Sequence, residues 1–270
     1  MTEISFRPLS PSFGVEVQGL DMSAPFAQAV AEALSTALRD QHLLLVRGQA
    51  VTADDQRRFA KLFGDIVIRS DYDKAPDAEA ETQHVSNARD DGILGTGELD
   101  FHIDQLFQEE PLRALILYAI EVPAEGGDTL FSSSTRAYEV LPEALKQRID
   151  SLSCLHLYDF KADYTKPQNL ETATPGSPYA VHPMVYVDPQ SGRRALWVNK
   201  NTTIKVVELE PDASAKLMDE VRRPLYDQDT IYRHAWRPRD LLIWNNRMLQ
   251  HARTPFAPSC TRTLRRTPIV

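Results

Sequence analysis

Leu241-Leu-Ile-Trp-Asn-Asn-Arg-Met-Leu-Gln-His251 and Arg262-Thr-Leu-Arg-Arg-Thr-Pro-Ile269 are the two stretches from which the fold is best read. The first opens as a strongly apolar strand and ends on a histidine, a place where a rigid scaffold can fix a ligand. In the second, a strand period of two puts Arg262, Leu264 and Arg266 on one face and Arg265 on the other. If Leu264 faces the core, two guanidiniums go in with it. Burying unpaired charge is very costly, so anions from protein or ligand are then expected inside. The planar guanidinium fork suits carboxylates. If Leu264 faces outward, these are solvated edge arginines. The segment alone leaves both readings open.

Working outward, further strands are expected at Phe13–Gln18, Leu43–Arg47, Leu112–Ile120, Thr129–Ser132, Tyr179–Val187 and Ala195–Asn199. Ser23 is placed to cap a helix through Val30, Leu34 and Leu38, with Pro25 in its first turn. Thr52 and Asp55 have capping-box spacing, and the helix they start buries Phe59, Leu62 and Phe63 and stops at Gly64. Two more amphipathic helices are expected near Pro142–Leu152 and Ala213–Arg222, the second ended by Pro224. Asp71–Glu81 and Lys161–Ser177 read as long polar loops. The mixture is β-rich with helices packed outside.

Composition narrows the function. A net charge of −8 and a pI near 5.4 argue against nucleic acid and anionic membrane as partners. Two cysteines, Cys154 and Cys260, make neither a disulfide framework nor a zinc pattern and suit a reducing compartment. The first ten residues lack a signal-peptide pattern, and the longest aliphatic run, Leu43–Val46, is far too short for a bilayer. A cytoplasmic protein is expected. With 270 residues, a single domain is within the usual range for β-barrels and sandwiches.

Chemistry enters at Phe101-His102-Ile103-Asp104. On a strand, His102 and Asp104 point to the same face and present an imidazole beside a carboxylate. This is two-thirds of the facial triad that holds non-haem Fe(II) and leaves positions open. A lone His-x-Asp is weak evidence, since capping and surface roles are commoner. His251 is the best third ligand. Taken by itself it reads better as a core histidine bonded to a backbone carbonyl.

Across these landmarks the chain resembles the taurine dioxygenase-like 2-oxoglutarate oxygenases. The similarity runs through Pro8–Asp21, Leu45–Gln49, Phe59–Gly64, Gly97–Asp104, Gly126-Gly-Asp-Thr129, His182-Pro183, Gly192-Arg193, Trp197–Asn199 and the final block. In that family the distal histidine precedes an arginine that binds the far carboxylate of 2-oxoglutarate, and an arginine four residues later often binds the substrate's acid group. Here those positions are His251, Arg262 and Arg266. Three departures stand out: Phe101 where tryptophan is common, Asn245 where aspartate is common, and Arg239 at a turn position usually held by glycine.

The resemblance implies one dioxygenase domain over residues 1–270. Its fold would be β-rich α+β, a double-stranded β-helix of the cupin jelly-roll type with flanking helices. It implies Fe(II) on His102, Asp104 and His251, with 2-oxoglutarate as cosubstrate, held at its far end by Arg262 and Thr129, and O2 as oxidant. A C–H of a small, acidic metabolite would be hydroxylated, with release of succinate and CO2. Desaturation or ring formation is the alternative outcome. A cupin-like enzyme using another metal without oxidation and a non-catalytic jelly-roll binding protein are the other classes, opposed by Arg262 and Thr129 at family spacing and by the presence of all three ligands. Related halogenases lack the carboxylate ligand, so Asp104 favours hydroxylation. Arg266 is expected to pair with the substrate's carboxylate or sulfonate, or else to salt-bridge an acidic residue. Tyr72, Asn87 and Trp197 are candidate pocket-lining residues, each equally suited to packing and turns. Self-association into a homo-oligomer is allowed.

Overall fold

The protein's structure is a computed structural model that describes residues 4–67, 82–93, 96–159, 161 and 168–270. Leu241–Asn245 lies at the centre of a seven-stranded sheet. Its order is Ser5–Pro8, Val15–Gln18, Leu43–Val46, Leu241–Asn245, Ala114–Glu121, Thr263–Ile269 and Gln83–Ser86. Ile243 lies between Leu44 and Ile116, and Trp244 between Leu43 and Leu115. Alternation then sorts these apolar strands into two cores. Leu44, Val46, Ile116, Ile243 and Ile269 pack under the helices Gln28–Gln41 and Ala53–Ala60. Leu43, Leu45, Leu115, Trp244 and Leu264 face inward with Phe131, Trp236 and Leu249. A sheet covered on both faces needs near-continuous apolar strands, which is why Leu43–Val46 and Leu241–Trp244 do not alternate with polar residues.

The inward core is closed by a second sheet of order Tyr232–His234, Thr129–Ser133, Leu249–Arg253 and Leu99–His102. A third, Thr203–Val206, Ser153–Leu157 and Tyr179–Pro183, joins a two-stranded ribbon of Val185–Val187 and Arg194–Leu196. These pack with the helices Ser134–Glu139, Glu143–Ile149 and Pro211–Arg222 around Leu145, Met184, Leu196 and Leu217. The expected 179–187 strand is therefore two strands. Met184 separates them: its N–H bonds Leu152 and its carbonyl accepts from Trp197, so the chain changes sheets there.

Two local expectations meet opposite fates. The Thr52 capping box forms as read: its hydroxyl accepts from the Asp55 N–H at 3.1 Å while Asp55 receives the Thr52 N–H at 3.0 Å. The helix expected from Ser23 begins instead at Gln28, with Ala27 at its N-cap. Ser23 is consumed in a turn by Asp21, whose Oδ1 accepts from both its N–H and its hydroxyl. Arg239, at the turn where the resemblance implies a glycine, holds a glycine-like φ of 69°. Such a conformation costs an L-residue on the order of 1 kcal/mol. Asp71–Glu81, which includes Tyr72, and residues 162–167 of the loop Lys161–Ser177 lie outside the described residues. Among the described residues, no helix is long and apolar enough to cross a membrane.

Candidate active site

His102 ends the strand Leu99–His102 and lies directly opposite His251 on the neighbouring antiparallel strand, with ring centroids 4.2 Å apart. Asp104 follows just past the strand end. Its Oδ1 is 3.1 Å from His102 Nε2 and 3.9 Å from His251 Nε2. One ligand atom from each of the three residues lies within 4.8 Å of the others. Sequence separation of about 150 residues is thus closed by a single cross-strand pair.

The imidazoles are oriented by different means. His102 Nδ1 is 2.8 Å from the Asp100 carbonyl, which can only accept. That fixes the proton on Nδ1 and leaves the Nε2 lone pair aimed at the cluster, the usual arrangement of a metal-binding histidine. His251 is instead wedged by aromatic rings, with Trp244 at 4.8 Å and Phe131 at 6.4 Å between centroids. Its Nδ1 is buried without a hydrogen-bond partner among the described residues. Burial and the adjacent His102 push the His251 pKa down to about 3, so the ring is neutral and able to donate a lone pair. For His102, burial works against protonation, but the Asp104 carboxylate outweighs it and the pKa is raised. Burial likewise opposes ionisation of Asp104. Arg266 and His102 outweigh it and hold the carboxyl far below its ordinary range. A charged carboxylate and two imidazoles form a donor set that suits a ferrous ion.

The last strand faces Leu264 inward, so the arginines are not solvated edge residues. Arg262 and Arg266 are 3% and 6% exposed. Arg266 donates to Asp104 Oδ2 at 2.9 Å and to the Gln83 side chain. The expected salt bridge to an acidic residue therefore exists, and the acid is the candidate metal ligand itself. It engages Oδ2, the oxygen turned away from the histidines.

Arg262 differs. Its Nε donates to the Gly127 carbonyl at 3.0 Å, and among the described residues its guanidinium makes no ion pair. Burial, with Arg253 nearby, lowers its pKa to about 9, still charged at neutral pH. Gly127 has φ 68°, and a Cβ there would meet Arg262 Cδ at 2.9 Å. Only glycine lets this backbone come so close to the arginine. Thr129, two residues on, sits opposite Arg253, and Phe131 sits opposite His251. Thr129 is therefore roughly 7 Å along its strand from the position facing His251. Its hydroxyl accepts from Trp236 Nε1 at 2.9 Å, which leaves its own proton to donate.

The proposed lining residues fall differently. Asn87 spends its amide on backbone: Nδ2 donates to the Cys260 carbonyl at 2.8 Å and Oδ1 accepts the Arg262 N–H at 2.9 Å. It holds the strand that carries Arg262. Trp197 is core, stacked on Tyr186 at 4.3 Å with Nε1 donating to the Arg247 carbonyl. Phe101, where tryptophan is common, packs on Tyr226 at 5.1 Å. Sequence reading missed Gln83 and Asn246, which contact Arg266 and Asp104. Neither carries a local signal, because an amide's partner is known only once the chain is folded.

A model of the family described as taurine catabolism dioxygenase TauD, TfdA family matches residues 5–267. Pentalenolactone F synthase of Streptomyces avermitilis is 30% identical, over 94% of this chain and 90% of that protein. The (S)-phenoxypropionate/alpha-ketoglutarate-dioxygenase of Sphingobium herbicidovorans is 28% identical, over 92% and 88%. The crystal structure of a taurine dioxygenase from Burkholderia xenovorans superposes with a TM-score of 0.83 at 25% identity, covering 99% of this chain and 89% of that one. With a matching family model over nearly its whole length and a histidine–aspartate–histidine cluster at its centre, the chain belongs to the TauD, TfdA family of dioxygenases.

Proposed function

We propose that this protein is an iron(II)- and 2-oxoglutarate-dependent dioxygenase that hydroxylates a C–H of a small acidic metabolite, within one double-stranded β-helix domain. The observation that carries the reading is the convergence of His102, Asp104 and His251, together with a buried Arg262 that makes no ion pair among the described residues. The three residues would hold the ferrous ion. When bound there with 2-oxoglutarate and O2, it supplies the oxidising power for C–H cleavage, with succinate and CO2 as coproducts.

The chain's own groups do the positioning. Arg262 receives the far carboxylate of 2-oxoglutarate in its planar fork, and the Thr129 hydroxyl donates to the same group. The distance along the strands from His251 to Thr129 is comparable to the reach of a five-carbon diacid. Phe131, Trp244 and Leu249 exclude water from the inner wall. Charge sets the substrate class. A divalent ion with Asp104, Arg262 and Arg266 outweighs the dianionic cosubstrate by one positive charge, while Asp128, which also acts on Arg262, is paired with Arg233 at 2.5 Å. A buried cationic excess favours an anionic substrate. Arg266, already against Asp104, is assigned to the substrate's carboxylate or sulfonate. The (S)-phenoxypropionate dioxygenase relative acts on a substrate of that kind.

The test is anaerobic calorimetry of 2-oxoglutarate binding to Fe(II)-loaded protein, followed by succinate assay with carboxylates and sulfonates. Metal-dependent binding and substrate-stimulated succinate are expected. No metal-dependent binding of 2-oxoglutarate would overturn the assignment.

A further inference from the structure

The carboxylate of Asp104 has to be aimed from a stretch of backbone that the sheet no longer holds. The strand carrying His102 ends there, and its last ladder pair is His102 with His251. The next residue after Asp104, Gln105, has φ 57°, an uncommon conformation for a residue with a side chain. Left-handed non-glycine residues persist only where their surroundings hold them. The Gln105 carbonyl accepts the Gln108 N–H at 2.9 Å, and the backbone of Asp104 just before it is gripped by a side chain. Asn246 Oδ1 accepts the Asp104 N–H at 3.0 Å, and Asn246 Nδ2 donates to the Asp104 carbonyl at 3.0 Å and to the Leu112 carbonyl at 2.9 Å. The amide exchanges two hydrogen bonds with one residue's backbone, as a neighbouring strand residue would.

The location of Asn246 gives the clamp its consequence. It is fully buried, its own N–H bonds the Arg113 carbonyl at 2.9 Å, and it sits in the turn that leads into the strand of His251. The same rigid turn therefore carries His251 on its outgoing strand and grips Asp104 through its side chain. The cross-strand pair sets the two histidines and Arg266 holds the carboxylate, while this amide ties the Asp104 backbone to the turn that leads into His251. We propose that Asn246 is a positioning residue for the metal centre, fixing where Asp104 Oδ1 stands relative to the two histidine nitrogens.

A merely structural amide provides the contrast. Asn87 is bonded in the same style to the backbone at Cys260 and Arg262, but it serves the cosubstrate end. Loss of either amide leaves backbone polar groups unpaired and lowers stability. Only loss of Asn246 should change the metal site.

The inference rests on the metal-centre reading above, and the experiment separates the two. Mn(II) is titrated into wild type, Asn246→Ala and Asn87→Ala, with free Mn(II) read by electron paramagnetic resonance. The Co(II) optical spectrum of each is recorded at saturating metal. Outer-shell partners of metal ligands typically contribute about tenfold to a hundredfold in affinity. Asn246→Ala is expected to weaken Mn(II) binding by that factor and to alter the Co(II) bands. Asn87→Ala should stay within about twofold for Mn(II) and weaken 2-oxoglutarate instead. If Asn246→Ala does not fold, Asn246→Ser, which keeps one hydroxyl, is titrated and should show a smaller loss of the same kind. Mn(II) affinity within twofold of wild type in the folded Asn246 variant, with an unchanged Co(II) spectrum, overturns the proposal. So does an equal loss in Asn87→Ala. Failure of the wild-type protein to bind Mn(II) sinks the metal-centre reading and the inference with it.

Discussion

Arg265 and Arg262 stand three residues apart at the same strand, on opposite faces of the same sheet, and both are buried. On the helix face, Arg265 is satisfied by the protein. Its Nε donates to Gln56 Oε1 at 2.8 Å, its Nη2 donates to the carbonyls of Val51 and Thr52, and its guanidinium lies 4.9 Å from the Tyr118 ring centre. On the inner face, Arg262 donates to one backbone carbonyl and makes no ion pair among the described residues. Identical chemistry is thus a strut where the fold supplies the acceptors, and on the proposed function it is a ligand site where the fold supplies fewer. The Gly127 carbonyl, the Phe256 ring at 6.0 Å and the charge of Asp128 offset part of the desolvation of Arg262, and a bound anion would offset more.

The largest effect should come from removing the charge that organises the inner face. Asp104→Ala deletes one ligand and leaves Arg266 without its carboxylate. Mn(II) affinity should fall by more than the roughly hundredfold typical of outer-shell losses. Near-normal Mn(II) binding would defeat the facial-triad assignment, and with it the claim that the inner face is built for ligands.

The comparison itself is broken or kept by two paired substitutions. Arg262→Lys keeps the charge but loses the fork, so the 2-oxoglutarate dissociation constant should rise about tenfold or more while stability changes little. Arg265→Met leaves three acceptors unpaired and should cost about 3 kcal/mol in urea unfolding. Arg262→Met should leave the unfolding free energy unchanged or raise it, since an uncompensated buried charge is gone. Equal destabilisation by the two methionines would show that Arg262 is a strut as well. Arg266→Gln tests the intermediate case. Coupled product formation should drop sharply while 2-oxoglutarate affinity stays near normal, and a neutral substrate oxidised equally by both forms would remove Arg266 from substrate binding.

A smaller effect concerns a buried group that is neither strut nor ligand. His42, 3% exposed at φ 64°, leaves both ring nitrogens without partners among the described residues. Burial, then Arg193, lowers its pKa to about 4. Because the folded value lies below the unfolded one, the unfolded chain binds the proton more readily. Stability is full above pH 6.5 and declines as pH falls toward 4. Between pH 6.5 and 5.5 the loss from this group should be about 1 kcal/mol. His42→Asn, which tolerates the left-handed backbone, should flatten the melting temperature over that range. An unchanged slope would assign the acid sensitivity elsewhere.

Local order made much of this visible in advance. The alternation of Arg262, Leu264 and Arg266, the spacing of Thr52 and Asp55, and the apolar runs at Leu43 and Leu241 each depend on residues within a few positions of one another. So does His102 beside Asp104. Family resemblance then joined His251 to them. The helix start was misplaced at Ser23 because a competing acceptor, Asp21, is equally local. The strand Gln83–Ser86 was missed because Gln-His-Val-Ser has no apolar pattern of its own and pairs only by lying beside Thr263–Ile269.

By itself the sequence determined which residues carry charge, which lie on a common face, and which could ligate a metal, since those properties follow from residue type and backbone period. Only the tertiary structure decided whom each polar group meets. Arg266 finds Asp104 across 162 positions, Asn246 finds it across 142, and Arg265 finds Gln56 across 209. A guanidinium or an amide will bond any acceptor that packing brings within about 3 Å, and no short-range pattern in the chain says which one that will be.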